Sequence, residues 1–84
     1  MKYTVIIADR VKKQIRKLPR LDGFNILEKI EALSDNPRPS GCKKLQDIEG
    51  WRIRVGDYRV IYDIHDKRVE VTVIKIGHRK DIYN

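Results

Sequence analysis

Apolar and polar positions alternate through Trp51-Arg52-Ile53-Arg54-Val55, pause at Gly56-Asp57, and alternate again through Tyr58-Arg59-Val60-Ile61-Tyr62. A period of two marks a strand with one buried face, and Gly-Asp between two such runs makes a two-residue hairpin turn. That turn sets a register in which Val55 faces Tyr58, Arg54 faces Arg59, and Arg52 faces Ile61. A second turn at Asp66-Lys67 leads into a third strand over Val69 to Ile76, with Val69, Val71 and Val73 on its inner side. Near the N-terminus, Tyr3 to Ala8 is β-branched and apolar and predicts one more strand.

Between these strands the period becomes helical. Val11, Ile15 and Leu18 recur at i, i+4 and i+7 and predict a helix over Arg10 to Leu18, with Asp9 as its cap. Pro19 stops it, because the residue before a proline is driven out of the helical region. Lys12, Lys13, Arg16 and Lys17 take the outer face. A second helix, capped by Asp22, runs to about Ser34 and buries Ile26, Leu27, Ile30 and Leu33. Asp35 to Gly41 is a loop, since its prolines and glycine forbid regular structure. Cys42 to Glu49 keeps no period and reads as an irregular connector from which Leu45 and Ile48 dip into the core.

The order strand, helix, helix, strand, strand, strand predicts an α+β fold. Two N-terminal helices pack on one face of a four-stranded, largely antiparallel sheet. The 84 residues form a single domain, 1–84, with one modest core. Alternation assigns the faces. Trp51, Ile53, Val55, Tyr58, Val60, Tyr62, Val71 and Val73 turn to the helices. Arg52, Arg54, Arg59, Ile61, Asp63, Glu70, Thr72, Ile74 and Ile76 form a half-polar open face, on which Ile61, Ile74 and Ile76 are exposed around a basic cluster.

Charge gives that face a meaning. The chain carries 19 Lys and Arg against 12 Asp and Glu, a net charge of +7. Such a bias suits nucleic acid, an acidic protein or an anionic surface. Like charges directly opposite on a ladder cost up to about 1 kcal/mol. A sheet that keeps Arg54 opposite Arg59, with Arg52 beside them, therefore calls for an anion, and phosphate is the first candidate. The alternative is that Asp57, Asp63 or Glu70 neutralises Arg52 and Arg54. The single cysteine, Cys42, makes no intramolecular disulfide and fits the cytoplasm. No run approaches the ~20 apolar residues of a membrane span, and the short apolar N-terminus is no signal peptide. Cys42, His65 and His78 lack the spacing of zinc ligands, so neither a metal nor another cofactor is expected.

The order of elements, the Tyr58-Arg59-Val60-Ile61-Tyr62 strand and the Gly77-His78-Arg79-x-x-Ile82-Tyr83 ending resemble the RelE/ParE superfamily of bacterial and archaeal toxins. The resemblance covers essentially the whole chain. For the RelE-like branch it implies a ribosome-dependent endoribonuclease that enters the decoding site and cuts messenger RNA. It also implies a cognate antitoxin that wraps and silences the toxin. The matching functional positions are Arg52 and Arg54, Arg59, Arg79 and Tyr83, with His78 where relatives hold a basic residue or a histidine. The best-known RelE toxin carries lysines at the first two positions and has two more residues between the tail arginine and tyrosine. A ParE-like inhibitor of DNA gyrase is the competing activity, and an inactive relative that binds its antitoxin is the third.

Metal-free cutting of RNA needs a base for the ribose 2′-hydroxyl, charge stabilisation at phosphorus and an acid for the leaving 5′-oxygen. Arginine suits the second task, because its planar fork grips phosphate and never loses its proton. Arg54, Arg59 and Arg79 are the candidates there, with Arg52 positioning substrate. Proton transfer then falls to His78 and Tyr83. Lys12, Lys13, Arg16 and Lys17 are candidate contacts to RNA, ribosomal RNA included.

Overall fold

The computed structural model describes residues 2–78. In chain order the elements are β1 (Thr4–Ile7), α1 (Asp9–Lys17), α2 (Arg20–Ala32), β2 (Lys43–Lys44), β3 (Trp51–Val55), β4 (Tyr58–His65), a 3-10 turn (Asp66–Arg68) and β5 (Glu70–His78). The strands form one sheet in the order β1-β5-β4-β3-β2. β1 runs parallel to β5, with Thr4 beside Glu70 and Ile7 beside Val73. Parallel neighbours need a crossover, and α1 and α2 are part of it.

The sheet has five strands, not the expected four. The additional one is β2, which pairs antiparallel with β3 and sets Lys43 opposite Arg52 and Lys44 opposite Trp51. Two consecutive lysines carry no apolar alternation. What makes them a strand is the free backbone edge of β3, a tertiary fact that local pattern does not contain.

Each helix boundary follows from its flanking backbone. The Ala8 carbonyl accepts the Lys12 N–H at 3.1 Å, so Ala8 is the cap, and Asp9 lies in the first turn at the positive end of the dipole. Leu18 is extended, as a residue before proline must be. The Pro19 carbonyl accepts the Gly23 N–H at 3.0 Å, which starts α2 at Arg20, ahead of the expected cap at Asp22. Gly23 is buried, and a Cβ on it would lie 3.2 Å from the Ile15 carbonyl oxygen, so glycine permits the close approach of the two helices.

Val11 and Ile15 of α1 and Ile26, Ile30 and Leu33 of the second helical segment pack on Ile53, Val55, Val60, Tyr62, Val71, Val73 and Ile76 of the sheet. Burying a side chain such as Ile30 contributes roughly 1.5–3 kcal/mol. Tyr62 is fully buried, and its hydroxyl donates to the Pro37 carbonyl at 2.7 Å, which ties the loop after α2 to the core. Leu27 and Ile48, expected inside, are exposed.

The pairing of β4 with β5 is irregular at one place. Its register runs Tyr58–His78, Arg59–Gly77, Val60–Ile76, Ile61–Lys75, then passes over Ile74 to Tyr62–Val73. The extra residue is a β-bulge, which reverses the faces beyond it. Ile76 therefore turns into the core instead of lying on the open face. Arg10, at the start of α1, donates from Nη2 to the Ile74 carbonyl at 3.1 Å, satisfying an acceptor within the irregular stretch. Ile61 does lie on the open face, yet it is buried and not exposed. The connector ahead of β3 covers it. The Leu45 N–H donates to the Gly50 carbonyl at 3.0 Å, closing a tight loop. A Cβ on Gly50 would lie 3.5 Å from Leu45 Cδ1 and 3.7 Å from Ile61 Cγ2, so both side chains crowd Gly50.

Candidate nucleic-acid interface

The expected register of the hairpin holds at every pair: Val55 faces Tyr58, Arg54 faces Arg59, and Arg52 faces Ile61. Gly56 occupies the turn with φ +60°, a conformation that glycine adopts without strain. The three arginines thus share the sheet face that the helices leave open. They differ in depth. Arg54 is exposed, Arg59 is half-buried, and Arg52 is 3% exposed, the one buried charged residue among those described. Burial lowers the pKa of Arg52, and the neighbouring charges of Arg54 and Arg59 lower it further. Arginine stays protonated through such a shift, so the result is a deep, permanent positive potential rather than a neutral group.

Two of the carboxylates that could have cancelled this charge are engaged elsewhere. Asp63 lies 3.3 Å from His65 Nε2, and Glu70 lies 3.3 Å from Arg68 Nε. Among the described residues no ion pair includes Arg54. The open face is therefore polarised along its strands. Asp63 and Glu70 stand at one end, and the arginines stand at the other.

Two lysines join the cationic end, and neither was expected from the sequence. Lys43 pairs with Arg52, so it lies on the same face. Lys75 pairs with Ile61 and shares that face because of the bulge at Ile74. A signal for the bulge is present in Val71, Val73, Ile74 and Ile76: the apolar phase slips by one residue between Val73 and Ile74. Regular alternation across that slip puts Ile76 outside and Lys75 inside, the reverse of what is found.

Other candidates stand apart from the arginines. His78 pairs with Tyr58, and the two rings meet edge to face with centroids 5.6 Å apart. The Tyr58 hydroxyl reaches Asp22 of α2 at 3.4 Å, so this pair lies on the helix side of the sheet. His78 is not brought to the arginine face. Lys12, Lys13, Arg16 and Lys17 are exposed on α1, whose Val11 and Ile15 face the sheet. Their charge points away from the open face, so they form a separate basic surface. Arg79 and Tyr83 lie outside the described residues. Among the described residues, no group of three or more His, Cys, Asp or Glu side chains is placed to hold a metal ion. No helix is long and apolar enough to cross a membrane.

Two helices on one face of a small sheet, with guanidinium groups gathered on the other, define a small basic α+β domain. The chain belongs to the family described as the ParE toxin of type II toxin-antitoxin system, parDE, whose model matches residues 5–83. Within that family it is a RelE-like toxin. It is 31% identical over 85 residues to toxin RelG of Mycobacterium tuberculosis, covering 99% of this chain and 98% of that protein. Over 82 residues it is 28% identical to the mRNA interferase toxin RelE of Escherichia coli, covering 95% of this chain and 86% of that protein. The toxin in the crystal structure of an archaeal RelE–RelB complex from Pyrococcus horikoshii superposes with a TM-score of 0.85 at 31% identity. That match covers 98% of this chain and 100% of that one.

Proposed function

We propose that the chain is a metal-independent endoribonuclease that cuts messenger RNA in the decoding site of the ribosome and is silenced by a cognate antitoxin. The observation that carries the reading is Arg54 directly opposite Arg59, with Arg52 buried beside them. A face built this way is relieved by an anion, and a phosphodiester in its cleavage transition state is more negative than in its ground state. The guanidinium groups thus favour the transition state over the bound substrate, which is what lowers a barrier. The similarity to an E. coli protein named an mRNA interferase supports RNA as the source of that phosphate.

In this reading the ribose 2′-oxygen attacks the adjacent phosphorus. The bond from the 2′-oxygen to phosphorus forms and the bond from phosphorus to the 5′-oxygen breaks. The products are a 2′,3′-cyclic phosphate and a 5′-hydroxyl end. A base takes the 2′-proton, and an acid gives one to the leaving oxygen. Arg54 and Arg59, with Arg79, stabilise the charge that gathers on the non-bridging oxygens. Arg52 raises the potential beneath them. The helix-side placement of His78 favours Tyr83 as the proton-carrying group of the chain, and alignment of the RNA by the ribosome supplies the rest through positioning. Lys12, Lys13, Arg16 and Lys17 contact ribosomal RNA from the opposite side of the domain.

The antitoxin rests on the RelE–RelB complex of P. horikoshii. It does not rest on an apolar rim around the arginines, because Ile61 and Ile76 are buried. The test is a cell-free translation reaction with the purified chain, followed by primer extension on the message. Cuts inside codons, which the antitoxin prevents, support the nuclease. Intact message together with stalled DNA supercoiling refutes it and favours a gyrase inhibitor.

A further inference from the structure

The bulge at Ile74 gives the cationic face a second row. Arg54 and Arg59 make one row, two residues along the strands from another that reads Lys43, Arg52, Ile61, Lys75 across β2, β3, β4 and β5. At the usual spacings, the second row spans about 14 Å and lies about 7 Å from the first. Its ends are exposed lysines, and its middle is a buried guanidinium and a buried isoleucine. Without the bulge, Lys75 would point into the core, where an unpaired ammonium is untenable. The Arg10 bond to the Ile74 carbonyl holds the irregular backbone in place.

We propose that Lys43 and Lys75 are RNA-binding residues that grip phosphates flanking the scissile one, and that Arg10 positions Lys75 through the bulge. The inference rests on the nuclease reading of the arginine face. Flexible, exposed lysines suit this task, because they neutralise phosphate as point charges without demanding one geometry. The arginine row holds the linkage that reacts, and the lysine row holds the chain beside it. The grip adds binding that is equal in ground and transition states, so its loss raises KM and leaves kcat unchanged.

The experiment measures binding of a fluorescein-labelled, fully 2′-O-methylated single-stranded RNA dodecamer, which cannot be cut, by anisotropy between 50 and 300 mM salt. Each phosphate contact on a single strand adds about 0.7 to the slope of log K against log salt. Lys75→Gln and Lys43→Gln should each reduce the slope by about that amount. Lys67→Gln removes the same charge from the turn at the far end of β4 and should leave the slope unchanged. Arg10→Gln should weaken binding in the parent more than in the Lys75→Gln background. Unchanged slopes for Lys43→Gln and Lys75→Gln, or an equal drop for Lys67→Gln, overturn the proposal while the nuclease reading stands. An Arg10→Gln loss of equal size in both backgrounds overturns its positioning role. No binding by the parent overturns the proposal, while the nuclease reading is decided separately by cutting of message in the cell-free translation reaction.

Discussion

Replacing Arg54 with glutamine should make the protein more stable. Arg54 is exposed, directly opposite Arg59 and next to buried Arg52. Two unit charges about 6 Å apart in a largely aqueous setting repel by about 0.7 kcal/mol. The third guanidinium adds to this, and like-charge pairs across a ladder cost up to about 1 kcal/mol in general. A gain of about 1 kcal/mol corresponds to a rise in Tm of about 4–8 °C for a domain of this size. The assay is thermal unfolding by far-UV circular dichroism at 20 mM and at 1 M sodium chloride. The screening length falls to about 3 Å at 1 M salt, so the gap between variant and parent should nearly close there. A lower Tm for Arg54→Gln, or a gap that salt does not alter, refutes the claim that these side chains repel one another.

Tyr62→Phe removes the buried donor to the Pro37 carbonyl and should cost about 1–2 kcal/mol in urea denaturation, because the carbonyl keeps its desolvation without its partner. Hydrogen bonds from Arg38 and then Tyr3 hold the Asp66 carboxyl below its ordinary range. A depressed folded-state pKa contributes stability above the unfolded value of about 3.9, which is lost as pH falls through the folded value. Asp66→Asn should therefore melt lower than the parent at pH 7, and the two melting curves should converge in acid. His78→Gln should still cut message at nearly the parental rate in a cell-free translation reaction, because its ring lies against Tyr58 on the helix side. Tyr83→Phe should be slow in the same assay. The opposite ranking would return the proton work to His78.

The hairpin was legible because all its information is local. Gly56-Asp57 fixes the turn, and the alternation on either side fixes which residues face inward. The arginine face followed directly, and Arg52, Arg54 and Arg59 stand together as expected. Most of the misread features depend on partners distant in sequence, and the bulge alone also leaves a local mark in the slip from Val73 to Ile74. Lys43–Lys44 is a strand because β3 offers an edge. Ile61 is buried because the connector bearing Leu45 crosses above it. Ile76 and Lys75 exchange faces because one bulge residue, held by Arg10 from the other end of the chain, resets the period. Leu27 sits at a helical spacing that suits burial, yet only Ile26, Ile30 and Leu33 of that stripe reach the sheet. Periodicity identifies the faces of an element, while the depth of each position depends on what packs above it.

The central claim is that the guanidinium groups on the open face stabilise charge at a scissile RNA phosphate. Single-turnover cutting of message on purified ribosomes by the Arg59→Ala chain tests it most directly. Loss of one positioned donor from a developing oxyanion should slow cutting by about 10²–10³-fold while the circular dichroism spectrum stays that of the parent. A folded Arg59→Ala chain that cuts as fast as the parent contradicts the account.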